Sequence, residues 1–148
     1  MNLPLREIAE HARACYPQEC CGLVIADAGG ALSFVPIDNV AGESSASDRT
    51  KRDGYVMHPV QLFKALRAAE EASGRLAIIV HSHPDVGAYF SDEDKRKALL
   101  EPGVPWYPGV HYLVVSIRDG RVDQARLYTW DAAQRDFSQS EVFEITLE

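Results

Sequence analysis

The chain has 148 residues, about the length of one domain, and its charged side chains sum to a net charge of −7. Hydrophobic residues make up 46% and charged residues 25%, as is typical of a globular domain. An acidic chain without a dense lysine or arginine stripe argues against nucleic acid as a partner. Uncharged apolar runs such as residues 76–80 are far too short to span a bilayer, so no membrane partner is expected.

The three cysteines, Cys15, Cys20 and Cys21, lie close together and are odd in number. A secreted disulfide framework needs an even number of cysteines spread along the chain. A bond between the adjacent Cys20 and Cys21 would be strained, and no Cys-x-x-C zinc motif occurs. We interpret all three as small buried hydrophobic residues. Because the N-terminus also lacks an apolar signal-peptide core, we expect a cytoplasmic protein.

Hydrophobic periodicity predicts a helix and a hairpin at the start of the chain. Apolar residues at helical spacing predict an amphipathic helix over residues 4–15, which Pro17 ends. Apolar runs at 21–26 and 31–37 flank the turn sequence Asp-Ala-Gly-Gly and predict a β-hairpin.

A long polar stretch separates this hairpin from the second predicted helix. Residues 41–54 have no apolar periodicity and predict a loop, which a short third strand at 55–57 follows. Pro59 suits the first position of a helix that ends at Ser73 and Gly74. The predicted buried stripe of this helix consists of Val60, Phe63, Leu66 and Ala69.

The pattern of the second half of the chain predicts several strands and one further helix. Residues 76–80 contain no polar side chain, which predicts a strand buried on both faces. Ser91 is a good N-cap for the helix that follows, and the stretch 101–109 predicts a loop. Three later strands are predicted at 110–117, 122–130 and 141–147. With no repeat or linker, residues 1–148 are expected to form a single α/β domain with a mixed sheet flanked by helices.

Two histidines separated by one residue follow the buried strand directly. If the extended conformation continues, His81 and His83 point to the same side of the chain. Zinc bound by nitrogen and oxygen needs a third protein ligand and, in a catalytic site, an open position for water. A carboxylate one turn into the next helix can supply that ligand, and Asp94 has this position.

The spacing of Ser91 and Asp94 has a second interpretation, because it also resembles a helix capping box with Asp in place of Glu or Gln. The two interpretations compete, since a carboxylate that reaches a metal is not expected to bond back to the helix start. Asp92 is a rival for the third ligand position.

The joint pattern resembles the signature of the JAMM/MPN+ zinc metallopeptidases, a family that includes deubiquitinating enzymes. It consists of His-Ser-His-Pro at 81–84, Ser91 and Asp94. The family also carries an upstream glutamate in a Glu-x-Cys-Gly context, which Glu-Cys-Cys-Gly at 19–22 matches. The resemblance reaches to about residue 130, is to the short stand-alone prokaryotic type, and implies an MPN-like (cytidine-deaminase-like) fold.

The resemblance also implies a role for each matching residue. His81, His83 and Asp94 would hold one catalytic Zn²⁺, which brings the pKa of a bound water toward neutrality. Glu19 would act as general base on that water and return the proton to the leaving amine. Ser91 would donate a hydrogen bond to the water or to the tetrahedral oxyanion. The implied reaction is zinc-dependent hydrolysis of a peptide or isopeptide bond.

The implied partner is a ubiquitin-like or sulfur-carrier protein with a C-terminal Gly-Gly tail, which family members bind in an extended form. Some short bacterial members process sulfur carriers, and others are associated with phage tail assembly. The loops 41–54 and 101–109, the latter with Trp106 and Tyr107, are candidate substrate walls.

Two functions from other classes are alternatives. An MPN-type scaffold would dock partners without turnover, but such relatives typically lack the metal ligands that this chain keeps. A nucleobase deaminase needs His-x-Glu and Pro-Cys-x-x-Cys, and neither occurs here. The remaining polar candidates receive structural interpretations: His11 solvated on its helix, His58 at a helix start, His111 opening a strand, and Ser82 facing away from the metal.

Overall fold

A computed structural model describes residues 2–43 and 50–147. Within these residues the elements are, in chain order, α1 (Leu5–Cys15), β1 (Cys21–Ala26), β2 (Leu32–Ile37), α2 (Pro59–Glu71), β3 (Arg75–Pro84), α3 (Asp92–Lys97), β4 (Leu99–Glu101), β5 (Val104–Pro105), β6 (His111–Arg118), β7 (Arg121–Asp131) and β8 (Asp136–Glu144). None of the described helices has both the length and the apolar character needed to cross a bilayer.

A six-stranded mixed sheet with the order β2-β1-β3-β6-β7-β8 organises the fold. All neighbouring strands are antiparallel except β3 and β6, which are parallel. A parallel pair needs a long crossover connection, and here that connection carries α3 and the small β4–β5 hairpin. The carboxyl end of β3 and the start of α3 therefore lie on one connection, which positions the site described below.

Strand β3 is buried along almost its whole length and separates two apolar clusters. Ile78 and Val80 face the cluster that includes α1, whereas Ile79 faces the cluster beneath α2. Because side chains alternate along a strand, His81 and His83 continue the Ile79 face. The prediction of a strand buried on both faces is confirmed.

The predicted α/β class with a mixed, hairpin-rich sheet is confirmed, and three local predictions are wrong. Residues 55–57 form no strand, because Met57 makes only an isolated bridge to Asn39. The predicted loop 101–109 contains part of the β4–β5 hairpin. The last strand ends at Glu144, before the predicted limit, since its pairing follows β7. Of the predicted loop 41–54, residues 44–49 lie outside the described residues.

The predicted buried stripe of α2 is also wrong in part. Val60 and Phe63 are 52% and 61% exposed, although Ala69 is buried as predicted. The face that packs on the sheet consists of Leu62, Ala65, Leu66 and Ala69. That set also has helical spacing, so periodicity alone allowed two faces and tertiary packing selected one.

The cysteine prediction is confirmed for two of three positions. All three thiols are free, and Cys20 and Cys21 are fully buried. Cys15 is only half-buried and lies beside His11, whose ring also packs against Phe34. The prediction of a solvated His11 is therefore wrong, because the helix turns this histidine toward the edge of the β1–β2 hairpin.

Candidate metal centre and active site

The two histidines at the end of β3 bring ring nitrogens together in a buried position. His81 is fully buried and His83 is 6% exposed, and their Nε2 atoms lie 3.1 Å apart. His83 Nδ1 lies 3.0 Å from the carbonyl oxygen of Gly87. Because a carbonyl only accepts, Nδ1 carries a proton, so the ring presents a lone pair at Nε2 whenever it is neutral. The same arrangement is usual for histidines that bind metals.

Asp94, in the first turn of α3, brings a carboxylate to these nitrogens. Its Oδ2 lies 3.1 Å from Nε2 of His81 and 3.2 Å from Nε2 of His83. The same oxygen accepts a hydrogen bond from the Ser91 amide at 3.0 Å, and Ser91 Oγ accepts one from the Asp94 amide. The carboxylate therefore contacts both histidines and closes the capping box at the same time, so the capping bond does not draw Asp94 away from the histidine nitrogens. One carboxylate oxygen has room for both.

The three converging atoms fit a divalent metal ion. Ligand atoms on a tetrahedral zinc with bonds of 2.0–2.1 Å lie about 3.3 Å apart, close to the separations seen here. Two imidazole nitrogens and a carboxylate oxygen are also a donor set that zinc accepts. Glu19 adds a further oxygen, since its ligand atom and those of His81 and His83 all lie within 4.8 Å of one another. Asp92, the rival ligand, is exposed to solvent.

Protonation states around the centre suit cation binding. Burial lowers the pKa of His81. Burial also acts to lower the pKa of His83, but its hydrogen bonds to the Asp94 carboxylate and the Gly87 carbonyl, together with the negative charges of Asp94 and Glu19, outweigh burial and raise the pKa. Burial also opposes the ionised form of Asp94, but the two histidines outweigh it and hold its pKa well below the usual range. Asp94 is therefore ionised and His81 neutral, which are the forms that bind metals.

Glu19 lies between α1 and β1, with its carboxyl group turned into the site. The residue is 7% exposed, and its backbone amide donates to the carbonyl of Lys51 at 2.7 Å. Burial raises the pKa of Glu19 to about 7, although nearby His83 acts in the opposite direction. A carboxyl group that changes protonation state near neutral pH is suited to proton transfer.

Asn39, which the sequence did not single out, joins Glu19 to the loop that borders the site. Its Nδ2 donates to the carbonyls of Glu19, Gly54 and Lys51 at 3.0, 3.1 and 3.4 Å. Its Oδ1 accepts from the amides of Ala41 and Val56 at 3.0 and 3.1 Å. Asparagine is common in loops, so its identity alone gave no signal of this role.

Aromatic side chains pack directly on the two histidines, and sequence reasoning missed them too. The Tyr55 ring stacks on His81 with centroids 4.8 Å apart, and Tyr89 meets His83 edge-on at 5.0 Å. Lys97 Nζ donates to the Tyr55 carbonyl at 2.8 Å and lies 4.8 Å from the centre of its ring.

The structural interpretations of Ser82 and His58 agree with the contacts seen. Ser82 Oγ accepts from the amide of Cys20 at 2.7 Å, on the face of β3 away from the two histidines. His58 is the N-cap of α2, where Nδ1 accepts from the Gln61 amide. His111 opens β6 as predicted.

The centre opens into a cavity of about 530 Å³, lined on one side by Arg52, Asp53 and Gly54. This described end of the loop 41–54 is therefore a wall of the cavity. A neighbouring apolar pocket of about 330 Å³ shares Tyr55 and Lys97 with it and includes Tyr107. The second predicted wall thus borders the neighbouring pocket, while Trp106 is 54% exposed.

The chain is similar in sequence to one protein family and to several curated proteins. The family described as prokaryotic homologs of the JAB domain matches residues 4–131. The chain is 33% identical over 102 residues to tail tip assembly protein K of Escherichia phage N15. The matched region covers 68% of this chain but only 35% of the phage protein. It is 30% identical over 118 residues to the CysO-cysteine peptidase of Mycobacterium tuberculosis, covering 80% of this chain and 72% of that protein. The desampylase of Haloferax volcanii is 30% identical over 120 residues, covering 80% and 76%.

Solved structures support the same fold. A protein from Desulfitobacterium hafniense superposes with a TM-score of 0.67 at 22% identity, covering 93% of this chain and 85% of that one. A protein from Salinibacter ruber gives a TM-score of 0.62 at 25% identity, covering 98% and 92%. The resemblance to JAMM-type hydrolases inferred from the sequence is confirmed at the level of the family. The chain belongs to the family of prokaryotic homologs of the JAB domain.

Proposed function

We propose that the chain is a zinc metallopeptidase that hydrolyses a peptide or isopeptide bond at the C-terminal tail of a ubiquitin-like or sulfur-carrier protein. The proposal treats residues 1–148 as one catalytic domain. The observation that carries it is the convergence of His81, His83 and Asp94 within 3.1–3.2 Å, beside the buried carboxyl group of Glu19.

His81, His83 and Asp94 would hold the zinc ion. When bound, zinc lowers the pKa of a coordinated water toward neutrality and so supplies the nucleophile. The hydrogen bond from His83 to Gly87 and that from the Ser91 amide to Asp94 fix two of the three ligands in advance. Preset ligands bind the ion without first having to be ordered.

Glu19 would accept the proton of the attacking water and return it to the leaving amine. Its pKa of about 7 in its buried position supports this role, because a general base works best near the operating pH. Asp94 Oδ2 lies 3.1 and 3.2 Å from the Nε2 atoms of His81 and His83, close to the spacing of ligand atoms around a tetrahedral zinc. We therefore assign Asp94 as the ligand and Glu19 as the base.

Ser91 would stabilise the oxyanion that forms when the carbonyl carbon is attacked. Its Oγ accepts a hydrogen bond from the Asp94 amide, which leaves the hydroxyl hydrogen available to donate. Ser91 also lines the cavity. A donor held in place by a helix cap costs no reorganisation during the reaction.

The substrate class rests on the relatives and on the shape of the site. One relative is named a CysO-cysteine peptidase, and another is named a desampylase. We propose that an extended tail ending in Gly-Gly reaches the centre through the cavity, because a thin glycine backbone passes most easily beside a buried metal. We place the reaction in the cytoplasm, where the three free cysteines stay reduced.

Metal analysis and a cleavage assay test the proposal together. Protein stripped with a chelator and reconstituted should bind one Zn²⁺ and release a reporter from a ubiquitin-fold fusion through a Gly-Gly tail. Glu19→Gln should keep the zinc and lose at least about 100-fold in kcat/KM. His83→Ala should lose the zinc. Failure of the reconstituted wild type to bind zinc would refute the centre, and equal metal loss in both variants would make Glu19 a ligand.

A phage-tail-associated peptidase is the second candidate, favoured by the 33% identity to the tail tip assembly protein. It shares the same centre and differs only in substrate. Glu19-dependent cleavage of phage tail proteins, with Gly-Gly fusions left intact, would select it. Zinc binding with no cleavage of either substrate class would instead indicate an MPN-type scaffold.

A further inference from the structure

His81 lacks the contact that normally orients a metal-binding imidazole. Such histidines usually donate their second ring N–H to a carbonyl or carboxylate, which fixes the tautomer and the ring plane. His83 follows this rule through Gly87. In contrast, His81 Nδ1 is buried and has no hydrogen-bond partner in the part of the chain that the structure describes. Another contact must hold its ring.

Tyr55 provides the only stacked ring contact to His81 among the described residues. The two ring planes are inclined by only 24°, with centroids 4.8 Å apart, whereas the rings of His83 and Phe90 lie 4.9 and 6.4 Å away and are tilted by 59° and 48°. A nearly parallel ring at this distance blocks rotation of the imidazole about its bond to Cβ, because the turning ring would collide with the stacked one. Stacking thus restricts the same motion that a hydrogen bond from Nδ1 would restrict.

Lys97 holds Tyr55 in turn. Its ammonium donates to the Tyr55 backbone carbonyl and lies over the Tyr55 ring. Lys97 is also three residues after Asp94, on the same helix α3. One short helix therefore carries the carboxylate of the centre and the cation that fixes the ring on His81.

We propose that Tyr55, held by Lys97, is a positioning residue for His81, and that ring stacking takes the place of the missing hydrogen bond. The proposal rests on the proposed function, in which His81 is a metal ligand. An aromatic ring is then required at position 55, but its hydroxyl group is not.

Metal affinity in three variants tests this requirement. We would measure the Zn²⁺ dissociation constant by competition with a chromophoric chelator, and the visible spectrum of the Co²⁺-loaded protein. Tyr55→Leu should weaken zinc binding about 10- to 100-fold and alter the Co²⁺ spectrum. Tyr55→Phe should stay within about twofold of the wild type, since it keeps the ring.

Tyr89→Leu is the matched control. Tyr89 also packs on a histidine of the centre, but His83 already has its hydrogen bond to Gly87. This variant should therefore bind zinc within about twofold of the wild type. A similar loss in Tyr55→Leu and Tyr89→Leu would overturn the proposal, because it would indicate a general packing effect.

Lys97→Met keeps the proposal testable if Tyr55→Leu does not fold. It retains the apolar stem of the side chain but loses the cation, and it should weaken zinc binding about 3- to 10-fold. If Tyr55→Leu or Lys97→Met folds and has the zinc affinity and Co²⁺ spectrum of the wild type, the role of Tyr55 is overturned, whereas the proposed metal centre is not. A wild type that binds no zinc would overturn the proposed metal centre, and this inference with it.

Discussion

The two halves of the candidate site are built in different ways. The ligand half, His81, His83 and Asp94, lies on β3 and in the first turn of α3, where regular backbone and a helix cap set the side chains. The base half places Glu19 in an irregular segment between α1 and β1, and the side chain of Asn39 ties this segment to the loop beside it. Local geometry defines the first half, and contacts between distant segments define the second.

This difference predicts that substitutions in the two halves separate metal binding from catalysis. Changes in the ligand half should remove the metal. Changes in the base half should leave the metal in place and lower the rate. The expected effects below run from the largest to the smallest.

Asp94→Ala should have the largest effect, because it removes an ionised ligand at the centre. We expect at least about 100-fold weaker zinc binding, because the free energy of zinc binding is large and only three protein ligands supply it, so each ligand contributes a substantial part. The measurement is zinc affinity by chelator competition. Asp92→Ala, an exposed acid in the same helical turn, is the control and should bind zinc like the wild type. Equal loss in the two variants would contradict the assignment of Asp94.

Asn39→Leu should break the base half alone. Zinc affinity should stay within about threefold, while kcat/KM falls about 10- to 100-fold, because a shift of about 1 Å in Glu19 suffices for such a loss. Kinetics and zinc titration on the same preparation measure both. Gln61→Leu, which removes hydrogen bonds to Asp38 outside the site, is the control. A joint fall of affinity and rate in Asn39→Leu would show that the halves are not separable.

Glu19→Gln should make the stability of the metal-free protein less sensitive to pH. The pKa of this carboxyl group rises from 4.5 to about 7 on folding, so the folded state binds the proton more tightly than the unfolded state. The resulting stabilisation of the fold is fully present below about pH 4.5 and is lost as the pH rises through 7. Glutamine does not titrate. The unfolding free energy of the variant relative to wild type should therefore increase between pH 5 and pH 8, by up to about 3 kcal/mol.

Urea unfolding of chelator-treated proteins at several pH values measures this difference. The same comparison for Glu10→Gln, which removes an exposed carboxyl group of α1, is the control that the change in Glu19→Gln should exceed. A constant difference for Glu19→Gln across this range would mean that the carboxyl group is not buried in its neutral form.

Ser82→Ala should have the smallest effect on the site and a moderate effect on stability. Its hydroxyl oxygen accepts a hydrogen bond from the buried backbone amide of Cys20. Removing the hydroxyl leaves that amide without an acceptor and should lower the free energy of unfolding by about 1–3 kcal/mol. Zinc affinity should stay within about twofold, because the side chain points away from the histidines. Thermal unfolding and zinc titration test the two expectations, and a large loss of zinc would contradict the assigned orientation.

The ligand half could be predicted from the sequence because its geometry follows from short-range rules. Two histidines two apart at the end of a buried strand, and a carboxylate eleven residues later in the first turn of a capped helix, leave few arrangements open. Asn39 and Tyr55 could not be found this way, since their partners are set by how a loop folds back on β1 and β3. The exposed Phe63 shows the same limit, because two apolar stripes on α2 were equally compatible with helical spacing.

The double use of Asp94 Oδ2 has a consequence for the proposed metal centre. The hydrogen bond from the Ser91 amide to this oxygen forms without a metal, so the first turn of α3 is capped in the metal-free chain. Under the proposed function, loss of zinc would empty the centre without unwinding the helix that carries its carboxylate. The folded chain would then exchange its ion repeatedly, as the supply in its surroundings rises and falls, without unfolding and refolding.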